Sequence, residues 1–211
     1  MIVNPAIEQY IADLLPARDP ILAEMEAYAA ANKVPIVGPG CATLLAQLVT
    51  ISKAKRIFEL GSAIGYSTLW IARAAGPDAE IHYSDGDPAN AARARGYFER
   101  AGVADQITIH TGDALAALAG TPGQFDFIFN DVDKEGYPDV LDAVPARLCE
   151  GAIFVTDNTL WHSRILDPDQ DETTKAVDTF NRRLFSHSSF TSGMIPLRDG
   201  MAVAIKRSLQ L

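Results

Sequence analysis

Arg56-Ile57-Phe58-Glu59-Leu60-Gly61-Ser62-Ala63-Ile64-Gly65-Tyr66-Ser67-Thr68 decides the fold. Its first five residues form a short apolar run, broken by one acid, that reads as a buried strand. A helical stretch follows over residues 66–75. The two glycines in the turn between them let backbone approach a ligand without a Cβ in the way. A dinucleotide fingerprint would space its glycines Gly-x-Gly-x-x-Gly and seat a pyrophosphate on the helix N-terminus. Here the spacing is Gly-x-x-x-Gly, with Glu59 on the strand just before it. A carboxylate there repels a pyrophosphate but attracts the cationic amino group of an aminoacyl ligand. A plain structural turn is the competing reading of this motif alone.

Working outward, the alternation continues. Residues 80–84, 106–110, 125–129 and 152–156 read as further strands. Helices fit 88–101, with Pro88 at its favoured first position and Gly102 as the stop, and 137–148. Upstream, 6–15, 21–31 and 41–51 are helical, with Pro35 and Pro39 breaking the chain between the last two. Strands alternating with helices give an α/β fold, a parallel sheet with helices on both faces. Such sheets bind ligands beyond the carboxyl ends of their strands, where strand order reverses.

The residues just after each strand are therefore the ones to inspect. The second strand runs into Asp85-Gly86-Asp87-Pro88. An acid at that strand end is the usual acceptor for ribose hydroxyls, although Asp-Gly is also common turn chemistry. Gly112-Asp113-Ala114, after the third strand, offers backbone to an adenine edge. The fourth strand runs into Asn130-Asp131-Val132-Asp133-Lys134, and the fifth into Asp157-Asn158. Neighbouring strands would bring Asp131, Asp157 and Asn158 to one sheet edge. Two carboxylates and an amide oxygen suit Mg²⁺ or Ca²⁺ better than zinc. Solvated loop acids capping helices are the alternative.

Bulk properties narrow the partners. The chain has 211 residues, 48% hydrophobic and 21% charged, with a net charge of −9. One domain is the expectation at this length, with residues 1–52 as a helical segment ahead of an alternating core over 53–211. The acidic balance argues against nucleic acid and against an anionic membrane surface. No apolar stretch approaches the ~20 residues that span a bilayer. Cys41 and Cys149 are far apart and lack Cys-x-x-Cys spacing, which suits a reducing cytoplasm. We expect no signal peptide, a cytoplasmic location and a homodimer.

The order of these motifs resembles the cation-dependent O-methyltransferases, the family of catechol O-methyltransferase and caffeoyl-CoA O-methyltransferase. The resemblance rests on residues 58–68, on Asp131-Val132-Asp133-Lys134-Glu135-Gly136-Tyr137, on Asp157-Asn158-Thr159-Leu160-Trp161 and on Ile195-Pro196-Leu197-Arg198-Asp199-Gly200. It implies a class I methyltransferase fold, Rossmann-like, with seven strands of which the last is antiparallel. It implies S-adenosyl-L-methionine as cofactor, held by Val37, Glu59, Gly61, Ser62, Ser67, Asp85, Ala114 and Asp133. It implies a divalent cation, Mg²⁺ first and Ca²⁺ or Mn²⁺ as alternatives, on Asp131, Asp157 and Asn158. Lys134 falls at the family's candidate general base, so Lys134 and Asp131 are the expected catalytic pair. Trp161 and His162 are the expected substrate contacts.

Three departures stand out. His162 replaces the family's usual Asn or Gly after the tryptophan. Pro196 stands where catechol O-methyltransferase has a carboxylate, and Ala42 replaces a glycine near the third helix. His82, His110 and His187 read as structural or surface residues. The expected substrate is a small vicinal-dihydroxy aromatic, of catechol or caffeoyl type. A phenol with a pKa near ~10 is weakly nucleophilic at neutral pH, and chelation by a cation corrects that. A Rossmann-type oxidoreductase, which lacks its third glycine here, and a non-catalytic acidic-pocket module are the rival readings.

Overall fold

The computed structural model describes residues 5–208. Three helices come first: α1 (Pro5–Leu14), α2 (Pro20–Asn32) and α3 (Pro39–Ser52). The alternating part follows as β1 (Arg56–Leu60), α4 (Tyr66–Ala75), β2 (Glu80–Asp85), α5 (Pro88–Arg100) and β3 (Ile107–Thr111). It continues through α6 (Ala114–Gly120), β4 (Phe125–Asn130), α7 (Tyr137–Ala143) and β5 (Leu148–Thr156). The chain closes with α8 (Glu172–Ser186), β6 (Phe190–Ile195) and β7 (Met201–Lys206).

The seven strands form one sheet in the order β3-β2-β1-β4-β5-β7-β6. Strand β7 runs antiparallel to both β5 and β6, and the other neighbours are parallel. Chain order reverses between β1 and β4, so the crevice opens at their carboxyl ends. Central β1 has apolar or fully covered residues on both faces: Ile57 joins the cluster under α3, α4 and α5, and Phe58 and Leu60 join the one under α7 and α8. Glu59 alternates onto the Ile57 face and is fully buried. A charged side chain there needs partners, and α4 supplies them.

Cap chemistry fixes several helix starts. The Asp19 carboxylate accepts from the Ile21 and Leu22 amides with Pro20 at the first helical position, and Asp87 with Pro88 does the same for α5. The 137–148 helix read from sequence is shorter. Helix α7 ends at Ala143, a 3₁₀ turn carries Val144–Arg147, and β5 starts at Leu148 rather than 152. Pro145 lacks the amide that would continue the α-helix. His82 and His110 lie away from the cleft, stacked with each other and with Phe58. Among the described residues no helix is long and apolar enough to cross a membrane.

Candidate active site

The glycine turn is pinned to the end of β2. The amides of Gly61 and Ser62 both donate to the Ser84 carbonyl, at 3.2 and 2.9 Å. The Ala63 amide donates to Asp85 Oδ2 at 2.8 Å, and the Tyr83 hydroxyl donates to the Ala63 carbonyl. Gly61 has φ +79°, and a Cβ there would lie 2.5 Å from the Asp131 carbonyl oxygen and 2.8 Å from the Val132 amide nitrogen. Glycine is thus needed for both backbone angle and close approach. Gly61→Ala is expected to cost about 2–5 kcal/mol of stability from left-handed strain plus overlap. Urea unfolding measures it, and a cost below about 1 kcal/mol would mean the turn is looser than this contact implies.

Below the turn, the Glu59 carboxylate accepts from the hydroxyls of Ser67 and Thr68 in the first turn of α4. Burial lifts the Glu59 pKa to about 7, against the pull of those hydroxyls. Ser62 and Ser67 line a narrow crevice with Val37, and Gly61 and Asp131 belong both to it and to the main cleft. Glu59 itself lines neither; it holds the turn from beneath.

The main cleft has a volume of about 1160 Å³. Asp85 forms one end of it, its Oδ1 accepting from the Asp87 amide at 2.9 Å and the Asn90 side chain at 3.1 Å. Ala114 lies alongside at the start of α6, which Asp113 caps through the Ala116 amide.

The other end is acidic. Asn130 and Thr156 are register partners on β4 and β5, so the next residues, Asp131 and Asp157, emerge side by side. The Asp131 amide donates to the Leu60 carbonyl at 2.8 Å, and the Asp157 amide to the Asn130 carbonyl at 3.1 Å. Burial raises the pKa of both carboxyls, and Asp131 raises that of Asp157 further. The Lys134 ammonium opposes the rise from 2.7 Å away on Asp131 Oδ1, and also donates to the Val132 carbonyl. Asn158 follows with φ 55°, its amide donating to Asp157 Oδ1 at 2.8 Å. Asp133 lines the same wall. Among the described residues no three His, Cys, Asp or Glu side chains form a cage. Two carboxylates beside an amide oxygen fit a hard divalent cation that keeps some water ligands.

The rim is a strained loop. Trp161, His162 and Ser163 all have positive φ, and the Trp161 and His162 rings stack 5.5 Å apart. The segment before β7 holds this loop in place. Asp199 accepts from the Leu160 amide through its carbonyl and from the His162 amide through its side chain at 2.6 Å, and the Gly200 carbonyl accepts from Thr159. Trp161 and His162 line the cleft. So do Ile36, Asn90, Thr173 and Arg198, to which the sequence reading assigned no role. Arg198 joins from the far end of the chain, where no local spacing signals a place in the site.

The seven-stranded sheet, with its cleft at the switch point, is that of the class I methyltransferases. Residues 16–207 match the O-methyltransferase family model, and the chain belongs to that family. It is 32% identical to a catechol O-methyltransferase of Niastella koreensis over 95% of this chain and 96% of that one. Among solved structures it resembles an O-methyltransferase from Bacillus cereus in complex with SAH, with a TM-score of 0.87 and 27% identity over 96% of this chain and 97% of the other. It equally resembles an O-methyltransferase from Streptomyces achromogenes involved in tomaymycin synthesis, in complex with SAM, with a TM-score of 0.87 and 27% identity over 96% of each chain. The oxidoreductase and acidic-module readings give way to this family.

Proposed function

We propose that this methyltransferase is divalent-cation dependent and acts on a small vicinal-dihydroxy aromatic of catechol or caffeoyl type. The observation that carries the reading is the emergence of Asp131 and Asp157 side by side in the cleft that also holds Asp85 and the glycine turn. Relatives named catechol and caffeoyl-CoA O-methyltransferase support the acceptor class.

In this reading Asp85 binds the ribose hydroxyls, Ala114 faces the adenine, Val37, Gly61, Ser62 and Ser67 surround the aminoacyl end, and Asp133 makes a further cofactor contact. Glu59 acts as a positioning residue through Ser67 and Thr68. Asp131, Asp157 and Asn158 hold the cation. S-adenosylmethionine would supply the methyl group, and the cation would favour the anionic form of a chelated hydroxyl. Lys134 Nζ, as the neutral amine, takes the hydroxyl proton and becomes the ammonium, with Asp131 orienting it. Trp161 and His162 form the aromatic wall against the acceptor. A cytoplasmic homodimer is the assembly we propose, checked by light scattering.

The two halves of the site separate by titration. S-adenosylhomocysteine is expected to bind in the presence of chelator, whereas catechol binding should need added Mg²⁺. Asp85→Ala should weaken S-adenosylhomocysteine by about 1–3 kcal/mol, the usual worth of a hydrogen bond to a charged group. Equal catechol affinity with and without Mg²⁺ would overturn the cation reading. An unchanged affinity in Asp85→Ala would remove that residue from the ribose.

A further inference from the structure

The cleft wall carries Asp85, Asp113, Asp131, Asp133, Asp139 and Asp157, and against them the basic side chains Lys134 and Arg198. Lys134 is committed to Asp131. Arg198 forms no ion pair with a carboxylate among the described residues. Its Nη1 donates to a neutral acceptor, the Ile36 carbonyl, at 2.8 Å. The guanidinium lies over Gly38, whose Cβ, if present, would meet Arg198 Cδ and Nη1 at 3.7 Å.

The backbone adds a second observation. Arg198 has φ 54°, a left-handed conformation that glycine adopts freely and an arginine adopts only at a cost. A side chain kept at such a position despite the strain points toward function. Arginine's planar fork matches a carboxylate through two parallel hydrogen bonds. An acid-rich cleft repels an anionic ligand group unless a cation meets it locally.

We propose that Arg198 is a specificity-determining residue that recognises a carboxylate on the acceptor, so that the preferred substrate is a carboxylated vicinal-dihydroxy aromatic rather than a neutral one. The inference rests on the acceptor class given under Proposed function. The competing role is structural, a latch between the segment before β7 and the segment around Ile36.

The test compares 3,4-dihydroxybenzoate, its neutral methyl ester and catechol as acceptors, with Mg²⁺ and S-adenosylmethionine saturating. Arg198→Gln removes the charge yet keeps an N–H for the Ile36 carbonyl. Arg198→Gly also loses the side chain but relaxes the backbone, so it guards against a folding failure. In both variants KM for 3,4-dihydroxybenzoate should rise about ten- to a hundredfold, the worth of a charge-assisted pair, with kcat and both neutral acceptors within about threefold of wild type. Equal losses on all three acceptors would identify a latch and overturn the proposal, as would no loss on any. Calorimetry of 3,4-dihydroxybenzoate on the Mg²⁺- and S-adenosylhomocysteine-loaded protein gives a readout free of turnover. Binding weakened in Arg198→Gln supports the proposal, and unchanged binding overturns it. If wild type methylates none of the three acceptors, the dihydroxy-aromatic reading itself fails, and calorimetry still decides whether Arg198 holds a carboxylate. Activity on catechol with no acceptor-selective effect sinks the arginine proposal alone.

Discussion

Lys134→Ala is expected to lower kcat for catechol methylation by about 10²–10⁴, the typical worth of a positioned general base. The ammonium stands 2.7 Å from Asp131 Oδ1 and 3.2 Å from the Val132 carbonyl, inside the acid end of the cleft. Loss of rate with intact S-adenosylhomocysteine affinity would separate proton transfer from cofactor binding. Raising the pH should partly restore the variant, because solvent then supplies the deprotonated hydroxyl. A lysine that only neutralises Asp131 predicts a lower melting temperature for the metal-free variant, cation binding that is not weakened, and no recovery at high pH. The discriminating data are pH–rate profiles of both proteins under saturating Mg²⁺, cofactor and catechol. Parallel profiles offset by less than about tenfold would remove Lys134 from the mechanism.

Asp157→Asn should have two large and opposite effects. Transfer should fall by at least about 100-fold, since even outer-shell changes at metal sites cost 10–100-fold. Stability of the metal-free protein should rise at the same time. Burial first, and the Asp131 charge second, push the Asp157 carboxyl above the usual range. Such a group binds its proton more tightly folded than unfolded. Its stabilising contribution is therefore full below the unfolded value near ~3.9 and is lost as pH rises through the folded value. At pH 8 the wild type carries that penalty and the asparagine variant does not. Calorimetric scans in chelator should show the variant melting several degrees higher at pH 8, the gap closing as pH falls toward about 4. A variant that melts lower at pH 8 would mean that Asp157 is held by contacts worth more than its desolvation.

The glycine turn and Asp85 were legible as parts of one cleft because their signals are local. The Gly61–Gly65 turn, Glu59 before it and Asp85 one strand later are spaced by the βαβ unit itself. Asp131 and Asp157 were legible as strand-end acids, and their proximity followed once β4 and β5 were taken as neighbours. The burial of Glu59 beneath Ser67 and Thr68 was not legible, because it depends on the packing of α4 on β1. Nor were α8, β6 and β7 located by residue. Helix α8 mixes many charged residues with its apolar stripe, and the Asp171 cap that starts it lies in a run of acids without a preceding strand. Arg198 escaped for the same reason as the left-handed run at Trp161–Ser163. Both are set by contacts between segments far apart in the chain, as the bond from Arg198 to Ile36 illustrates.

The most direct test of the central claim is methyl transfer from labelled S-adenosylmethionine to catechol, run in Mg²⁺ and in excess EDTA, with S-adenosylhomocysteine affinity measured in both. Cation-dependent methylation predicts transfer in Mg²⁺ and none above background in EDTA, with cofactor affinity changed by less than about threefold. Full transfer in EDTA would contradict it and return Asp131, Asp157 and Asn158 to a structural role.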